Sequence, residues 1–313
     1  MAGSRPLRIG TRGSPLALTQ ANRVAERLAA AHASLGIAGA IAVTPIVTSG
    51  DKTQDRALAE IGGKGLFTKE IDIALIEGAI DLAVHSLKDL PTEMPPGIAL
   101  ACVPEREDPR DMLIARAAST IAGLPQGATI GTASLRRAAQ LLHRRPDLRI
   151  MTLRGNVGTR IAKIERGDLD ATLLALAGLK RLGYDRHPLA HPIATDEMLP
   201  AVGQGAIAIT CRAGDAATLA LLAPLDRADA HTSILAERAF LRVLDGSCRT
   251  PIAALAEIDG DRLAMRGLVA TPDGRQLLET SSEGARGDAE AMGRDAGAEL
   301  LGRCGPGFFS FKS

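Results

Sequence analysis

The chain has no tryptophan, one tyrosine and five phenylalanines in 313 residues, so it lacks the aromatic platforms on which proteins stack single-stranded nucleic acid. Its 37 lysines and arginines are matched by 36 aspartates and glutamates, a formal charge of +1. Such a chain has no general field for a nucleic acid or an anionic membrane. The four cysteines, Cys102, Cys211, Cys248 and Cys304, lie far apart with no C-x-x-C pair, which argues for reduced thiols over a disulfide frame or a zinc site. The six histidines are scattered, and Pro188 between His187 and His191 prevents a regular helical i, i+4 metal pair; no metal site is expected. No stretch approaches the roughly 18 uninterrupted apolar residues of a membrane helix. Met1 to Pro6 carries no apolar signal region, so a cytoplasmic location is expected. No sustained heptad or apolar stripe demands a partner, and a monomer is expected.

What the sequence does have is a local concentration of arginine on glycine-containing turns. The two segments are Gly131-Thr132-Ala133-Ser134-Leu135-Arg136-Arg137 and Leu153-Arg154-Gly155-Asn156-Val157-Gly158-Thr159-Arg160. Each follows an apolar run that reads as a strand and precedes a pattern of helical period, such as Val157, Ile161 and Ile164. A strand-to-helix turn leaves backbone N–H groups pointing outward at the positive end of a helix dipole. Guanidiniums added there make an anion site, for carboxylates or phosphates.

Strands are expected at Leu7–Gly10, 41–47, 79–84, near 128–130, 149–153 and 171–176, alternating with helices. Ser14 is a good N-cap and Pro15 a good first helical residue. The polar stretch from Thr48 to Gly65 reads as a mobile loop and Leu66 to Glu77 as a helix. Prolines and charge from Pro91 to Asp111 mark one crossing between domains, and Met198 to Gly205 a second. Beyond Leu225 the pattern changes to a helix (about 229–244), several strands (about 251–280) and a closing helix (about 286–302), an α+β unit after two α/β ones. Arg12, Lys88-Asp89, Arg136-Arg137, Arg154 and Arg181 all fall just beyond the C-terminal ends of expected strands. Open parallel sheets bind ligands at that edge, and two such domains facing each other would bring these charges into one cleft.

Each residue has a plainer reading. A lone arginine is ordinarily a solvated surface residue; buried together, several need anions to satisfy them. Asp89 beside Lys88 is either a strand-end ion pair or a carboxylate kept ionised among cations to stabilise a transient cation and handle protons. Gly62-Gly63-Lys64-Gly65 is not a P-loop, because Gly follows Lys64. Cys248, in Gly246-Ser247-Cys248-Arg249, is either a small buried side chain or an accessible, partly ionised thiol suited to covalent attachment.

These residues resemble one family, the porphobilinogen deaminases or hydroxymethylbilane synthases. The resemblance runs in order through Thr11-Arg12-Gly13-Ser14-Pro15-Leu16-Ala17-Leu18, Gly62-Gly63-Lys64-Gly65-Leu66-Phe67 and Asp81-Leu82-Ala83-Val84-His85-Ser86-Leu87-Lys88-Asp89-Leu90-Pro91. It continues through Arg106-Glu107-Asp108-Pro109-Arg110-Asp111, both arginine turns, Ala177 to Gly183, Pro200 to Ala206, and Glu237-Arg238-Ala239-Phe240-Leu241 through Gly246-Ser247-Cys248. Ser247 stands where many relatives have Gly, and Ala133 where Ser is frequent. The resemblance implies an α/β fold: two periplasmic-binding-protein-like (type II) domains around a cleft, and a smaller α+β C-terminal domain. The domains would be 1–104 with a return segment 205–224, 105–204, and 225–313.

It also implies a dipyrromethane cofactor on Cys248 through a thioether, and four porphobilinogen units added head to tail with loss of ammonia before hydrolysis frees hydroxymethylbilane. Asp89 would be catalytic. Lys88, Ser86, Thr132, Ser134, Arg136, Arg137, Arg154 and Gly155 would hold the cofactor, and Arg12, Ser14, Arg160, Arg181, Gln204, Lys64 and Phe67 the substrate. The rival reading is a non-catalytic two-lobed protein that binds an anionic ligand.

Overall fold

The computed structural model describes residues 5–52, 65–244, 250–305 and 307–308. The chain begins β1 (Leu7–Arg12), α1 (Pro15–Ala31), β2 (Ile41–Ile46), α2 (Ser49–Lys52), α3 (Lys69–Ile76), β3 (Leu82–Ser86) and β4 (Ile98–Cys102). It continues through β5 (Asp111–Ala115), β6 (Thr129–Gly131), α4 (Leu135–Arg144), β7 (Arg149–Met151), α5 (Val157–Arg166), β8 (Ala171–Ala175), α6 (Leu176–Leu182) and β9 (Ala190–Pro192). The remainder is β10 (Ile207–Arg212), α7 (Ala216–Leu222), α8 (Ala228–Val243), β11 (Ile252–Asp259), β12 (Arg262–Ala270), β13 (Leu277–Ala285) and α9 (Ala289–Arg303). Two compact units result, one from the described residues of 1–54, 63–107 and 206–231, the other from those of 108–205 and 232–313.

In the first unit one sheet runs β2-β1-β3-β10-β4. Strands β1, β2 and β3 are mutually parallel, while β10 is antiparallel to both β3 and β4. The sheet is therefore mixed, where the alternating pattern predicts a parallel one, because the chain re-enters this unit at Ala206 and lays β10 between strands made about a hundred residues earlier. Helix α1 starts where Ser14 caps it, its Oγ accepting from Ala17 N–H at 3.3 Å. It buries Ala21, Val24 and Leu28 with Ile9, Leu82, Val84 and Ile209. On the other face Ile71 and Leu75 of α3 pack on Ile80, Ala83 and Ile98. Coverage of both faces explains why Leu82 to His85 are all buried without alternation. Two local expectations shift. Helix α3 begins at Lys69, after a turn with Gly65 at φ +80°, and residues 49–52 of the expected loop form the helical turn α2; 53–64 lie outside the described residues.

In the second unit a sheet runs β7-β6-β8-β5-β9, with β6, β7 and β8 parallel and β5 antiparallel to its neighbours. A separate antiparallel sheet, β11-β12-β13, packs one face on α8 and α9 through Ala236, Phe240, Met265, Ala296 and Leu300. Its other face, with Ala253, Leu255, Leu268 and Ala270, buries Ala139 of α4 and Leu199. The β12–β13 turn seats on the same helix. Gly274 has φ +70°, and a Cβ there would lie 2.5 Å from Ala139 O and 2.6 Å from His143 N, so glycine is the residue that permits this approach. Helix α4, which carries the arginine pair, is thus braced from behind.

Candidate active site

Adjacent parallel strands β1 and β3 deliver Arg12 and the Ser86-Leu87-Lys88-Asp89 turn to one edge of the first sheet. There Arg12, Ser14, Gln20, Phe67, His85, Ser86 and Asp89 line a concavity. The Arg12 guanidinium is held on three sides. Its Nε donates to Asp51 Oδ1 at 3.2 Å, the Phe67 ring centroid stands 4.2 Å from its central carbon, and its Nη1 is 3.9 Å from Asp89 Oδ2. Stacking on a ring face suits a guanidinium. Asp51 is fixed in turn by the Thr48 hydroxyl at 2.7 Å. Burial alone would raise its pKa, but Arg12 and Thr48 hold it below the usual carboxylate range. Asp89 is 33% exposed, so one face of its carboxylate is open to a ligand. Ser86 and Gln20 exchange hydrogen bonds at 3.1 and 3.3 Å, and Lys88 is half-buried in the turn.

His85 lies beneath this edge, buried, with Nε2 3.3 Å from Thr210 Oγ1. Burial, and then the Arg12 charge, push its pKa down from 6.5 to about 4. The folded chain therefore keeps His85 neutral where the unfolded chain takes up a proton. Its contribution is complete above the unfolded pKa of 6.5 and is lost as pH falls toward about 4, on the order of 3 kcal/mol at ~1.4 kcal/mol per unit. His85→Gln is expected to flatten the loss of stability in that window in urea titrations at pH 7.5 and 4.5. An unchanged pH slope in the variant would assign the acid sensitivity elsewhere.

In the second unit β6, β7 and β8 end side by side, and the arginine turns follow them. Thr132 Oγ1 accepts from Ser134 N–H at 3.1 Å, and Ser134 caps α4. Arg136 and Arg137, in the first turn, are 5% and 6% exposed. The sequence reading supplies them no protein partner. The structure supplies Asp111, wholly buried at the start of β5. Its Oδ2 accepts from Arg136 Nη1 at 2.7 Å and its Oδ1 from Arg137 Nη2 at 2.7 Å. Burial would raise the Asp111 pKa, yet the two guanidiniums hold it far below the usual range. Arg136 also donates to Leu199 O, and Arg137 to Leu173 O, each at 2.8 Å. Arg136 Nε is buried with no partner among the described residues.

Arg154 and Arg160 join Arg137. Burial first, then the charges of Arg137 and Arg154, lower the Arg160 pKa to about 10, so these guanidiniums share one place and repel one another. The turn that allows it has Gly155 at φ +116°, with Arg160 Nε donating to Gly155 O at 2.9 Å and Asn156 capping α5. Arg181 is buried and donates to Gly205 O at 2.6 Å. Gln204, 1% exposed, donates to Pro109 O at 2.7 Å and to Asp111 Oδ1 at 3.0 Å, which places it in the Asp111 network. Cys248 and Lys64 lie outside the described residues. Asp111 and Asp51 are the residues that sequence reasoning leaves unassigned. The signal for Asp111 is a carboxylate at the first position of a buried apolar strand, where a charge requires partners.

Residues 7–220 match the family model described as porphobilinogen deaminase, dipyromethane cofactor binding domain, and residues 231–302 that of the porphobilinogen deaminase C-terminal domain. The chloroplastic porphobilinogen deaminase of Oryza sativa subsp. japonica is 52% identical over 307 residues, covering 97% of this chain and 85% of that one. The porphobilinogen deaminases of Nitrobacter winogradskyi and Paracoccus denitrificans are 53% and 51% identical, covering 96% and 98% of this chain and 95% and 97% of theirs. Among solved structures, the second substrate binding domain of a putative amino acid ABC transporter from Streptococcus pneumoniae is similar at 11% identity and a TM-score of 0.42, covering 76% of this chain and 93% of that one. With two family models matched along most of its length and relatives more than half identical over at least 96% of it, this chain belongs to the porphobilinogen deaminase family.

Proposed function

We propose that this chain is a hydroxymethylbilane synthase, a transferase that joins four porphobilinogen molecules head to tail, releasing one ammonia at each addition, and then frees the linear tetrapyrrole by hydrolysis. The observation that carries this reading is the gathering of Arg137, Arg154 and Arg160 next to the buried Arg136: burial first, and then the charges of Arg137 and Arg154, lower the Arg160 pKa to about 10. Mutually repelling, partly buried guanidiniums call for counter-charge, and pyrroles bearing acetate and propionate supply it. The donor set fits dipyrromethane: planar guanidinium forks for carboxylates, the Arg136 Nε that has no partner among the described residues, and the side-chain hydroxyls of Thr132 and Ser134. The location inferred for the enzyme is the cytoplasm and its state a monomer, with the three-domain division given above.

When bound, dipyrromethane supplies the free pyrrole carbon to which the first substrate is joined. Arg136, Arg137, Arg154, Lys88 and Ser86 would hold its carboxylates, Gly155 would keep the backbone close, and Cys248 would anchor it. Arg12, Ser14, Arg160, Arg181, Gln204, Lys64 and Phe67 orient the incoming porphobilinogen. Its aminomethyl group reacts from the protonated, ammonium form: the C–N bond breaks with the electron pair going to nitrogen, NH3 departs, and positive charge remains on the pyrrole. The Asp89 carboxylate stabilises that charge and accepts hydrogen bonds from pyrrole N–H groups. Arg12, already turned toward Asp51, leaves Asp89 open.

Intact mass with peptide mapping across Cys248 tests the proposal. An increase equal to two linked pyrroles on Cys248 is expected. A Cys248 that stays unmodified after incubation with porphobilinogen and with hydroxymethylbilane would favour a non-catalytic anion binder.

A further inference from the structure

Asp111 is 0% exposed, so a ligand cannot reach it, yet it holds two members of the cationic cluster, Arg136 and Arg137. Its oxygens are divided. Oδ2 serves Arg136; Oδ1 takes Nε of Arg137 at 3.2 Å and Nη2 at 2.7 Å, together with Gln204 Nε2. With Nη1 of Arg137 spent on Leu173 O, the N–H groups left over are the second ones on Nη1 and Nη2. The one on Nη2 lies on the distal edge of the fork, away from the edge that Asp111 grips, where a carboxylate oxygen can accept. Arg137 is also a member of the cluster with Arg154 and Arg160. We propose that Asp111 is a positioning residue for capture of the anionic primer: by gripping one edge of Arg137 and pinning Arg136, it aims the free edge of Arg137 at the incoming carboxylate. This rests on the synthase reading above.

The alternative is that Asp111 merely offsets charge, and the two make opposite predictions. Arg136, Arg137, Arg154, Arg160 and Asp111 together carry +3, and asparagine at 111 raises that to +4. If long-range attraction alone governs capture, Asp111→Asn loads primer faster. If aim governs it, loading slows despite the added positive charge. Asp111→Glu keeps every charge and displaces both guanidiniums by a methylene, so it separates the same readings without unpairing the arginines.

The test uses the full chain produced free of cofactor. Each variant is incubated with hydroxymethylbilane, and the rate of mass gain on Cys248 is followed at a temperature where circular dichroism shows it folded. Leu300→Ala, in the core between the three-stranded sheet and α9, is the control for lost stability. Both Asp111 variants are expected to load at least about tenfold more slowly than the parent chain, since misplacement by roughly 1 Å costs up to ~100-fold; Leu300→Ala is expected to load as the parent does. Parent-like or faster loading in either Asp111 variant overturns the proposal, as does equal slowing in Leu300→Ala. If Asp111→Asn does not fold, Asp111→Glu decides alone. Failure of the parent chain to gain mass brings down the synthase reading itself, and is told apart because no variant is then involved.

Discussion

Asp89→Ala is expected to lower kcat by at least about a hundredfold while leaving the melting temperature and the mass on Cys248 nearly unchanged. The two halves of this expectation come from one geometry. Asp89 sits on the turn after β3, 33% exposed, with Arg12 at 3.9 Å, too far for a hydrogen bond. Arg12 is meanwhile held by Asp51. The Asp89 carboxylate therefore contributes little to the fold, ~0–1 kcal/mol for a partly exposed pair, and its loss leaves no buried cation uncompensated. What the variant loses is the one open carboxylate that, among the described residues, lines the concavity with Arg12, Phe67 and Ser86. Steady-state kinetics on primer-loaded protein, with differential scanning calorimetry alongside, measures both halves. Near-normal turnover would remove Asp89 from the chemistry; a large fall in melting temperature would make it a structural residue.

The edge on which the charged groups fall was readable because its signals are local. Ser14 followed by Pro15 marks a helix start, and apolar runs ending in glycine-containing arginine turns mark strand-to-helix junctions; Arg12, Asp89, Arg136, Arg137 and Arg154 all stand where those junctions are. The return strand β10 was not readable in the same way. Its partners β3 and β4 are over a hundred residues away in sequence, and Ile207 to Cys211 is a short buried run with no alternation to give its face or direction. Strand β5 is likewise a short, wholly buried run with no alternation, and β4 gives none either, its three middle residues being all half-buried. The partners of the arginines were hidden more deeply. Nothing in Leu135-Arg136-Arg137 says that both guanidiniums turn inward, because Asp111 arrives from a different strand and Leu199 from a different loop. Helical period places the pair on α4; only the packing of β5 beneath it gives the directions. Gly274 is similar: only the backbone of α4 packed against it gives the reason for a glycine there.

The other large effect is expected from Arg137→Ala: chain produced free of cofactor should acquire primer at least about a hundredfold more slowly than the parent, so that purified protein carries unmodified Cys248. Arg137 is the residue that joins the buried Asp111 pair to the Arg154 and Arg160 cluster, and alanine removes both the fork and the charge. Some stability goes with it, roughly 1–3 kcal/mol for the hydrogen bonds to Asp111 and Leu173. Asp111 is not stranded, because Arg136 and Gln204 still satisfy both its oxygens. The variant is therefore expected to fold, and the loading defect is separable from unfolding. Arg137→Lys sharpens the comparison. It restores the positive charge but presents a point donor where the guanidinium offered a planar edge, so it should recover the salt dependence of loading without recovering its rate. Loading at the parent rate in Arg137→Lys would mean that charge alone is what this position provides, and parent-like loading in Arg137→Ala would leave Arg154 and Arg160 as the groups that take the carboxylates.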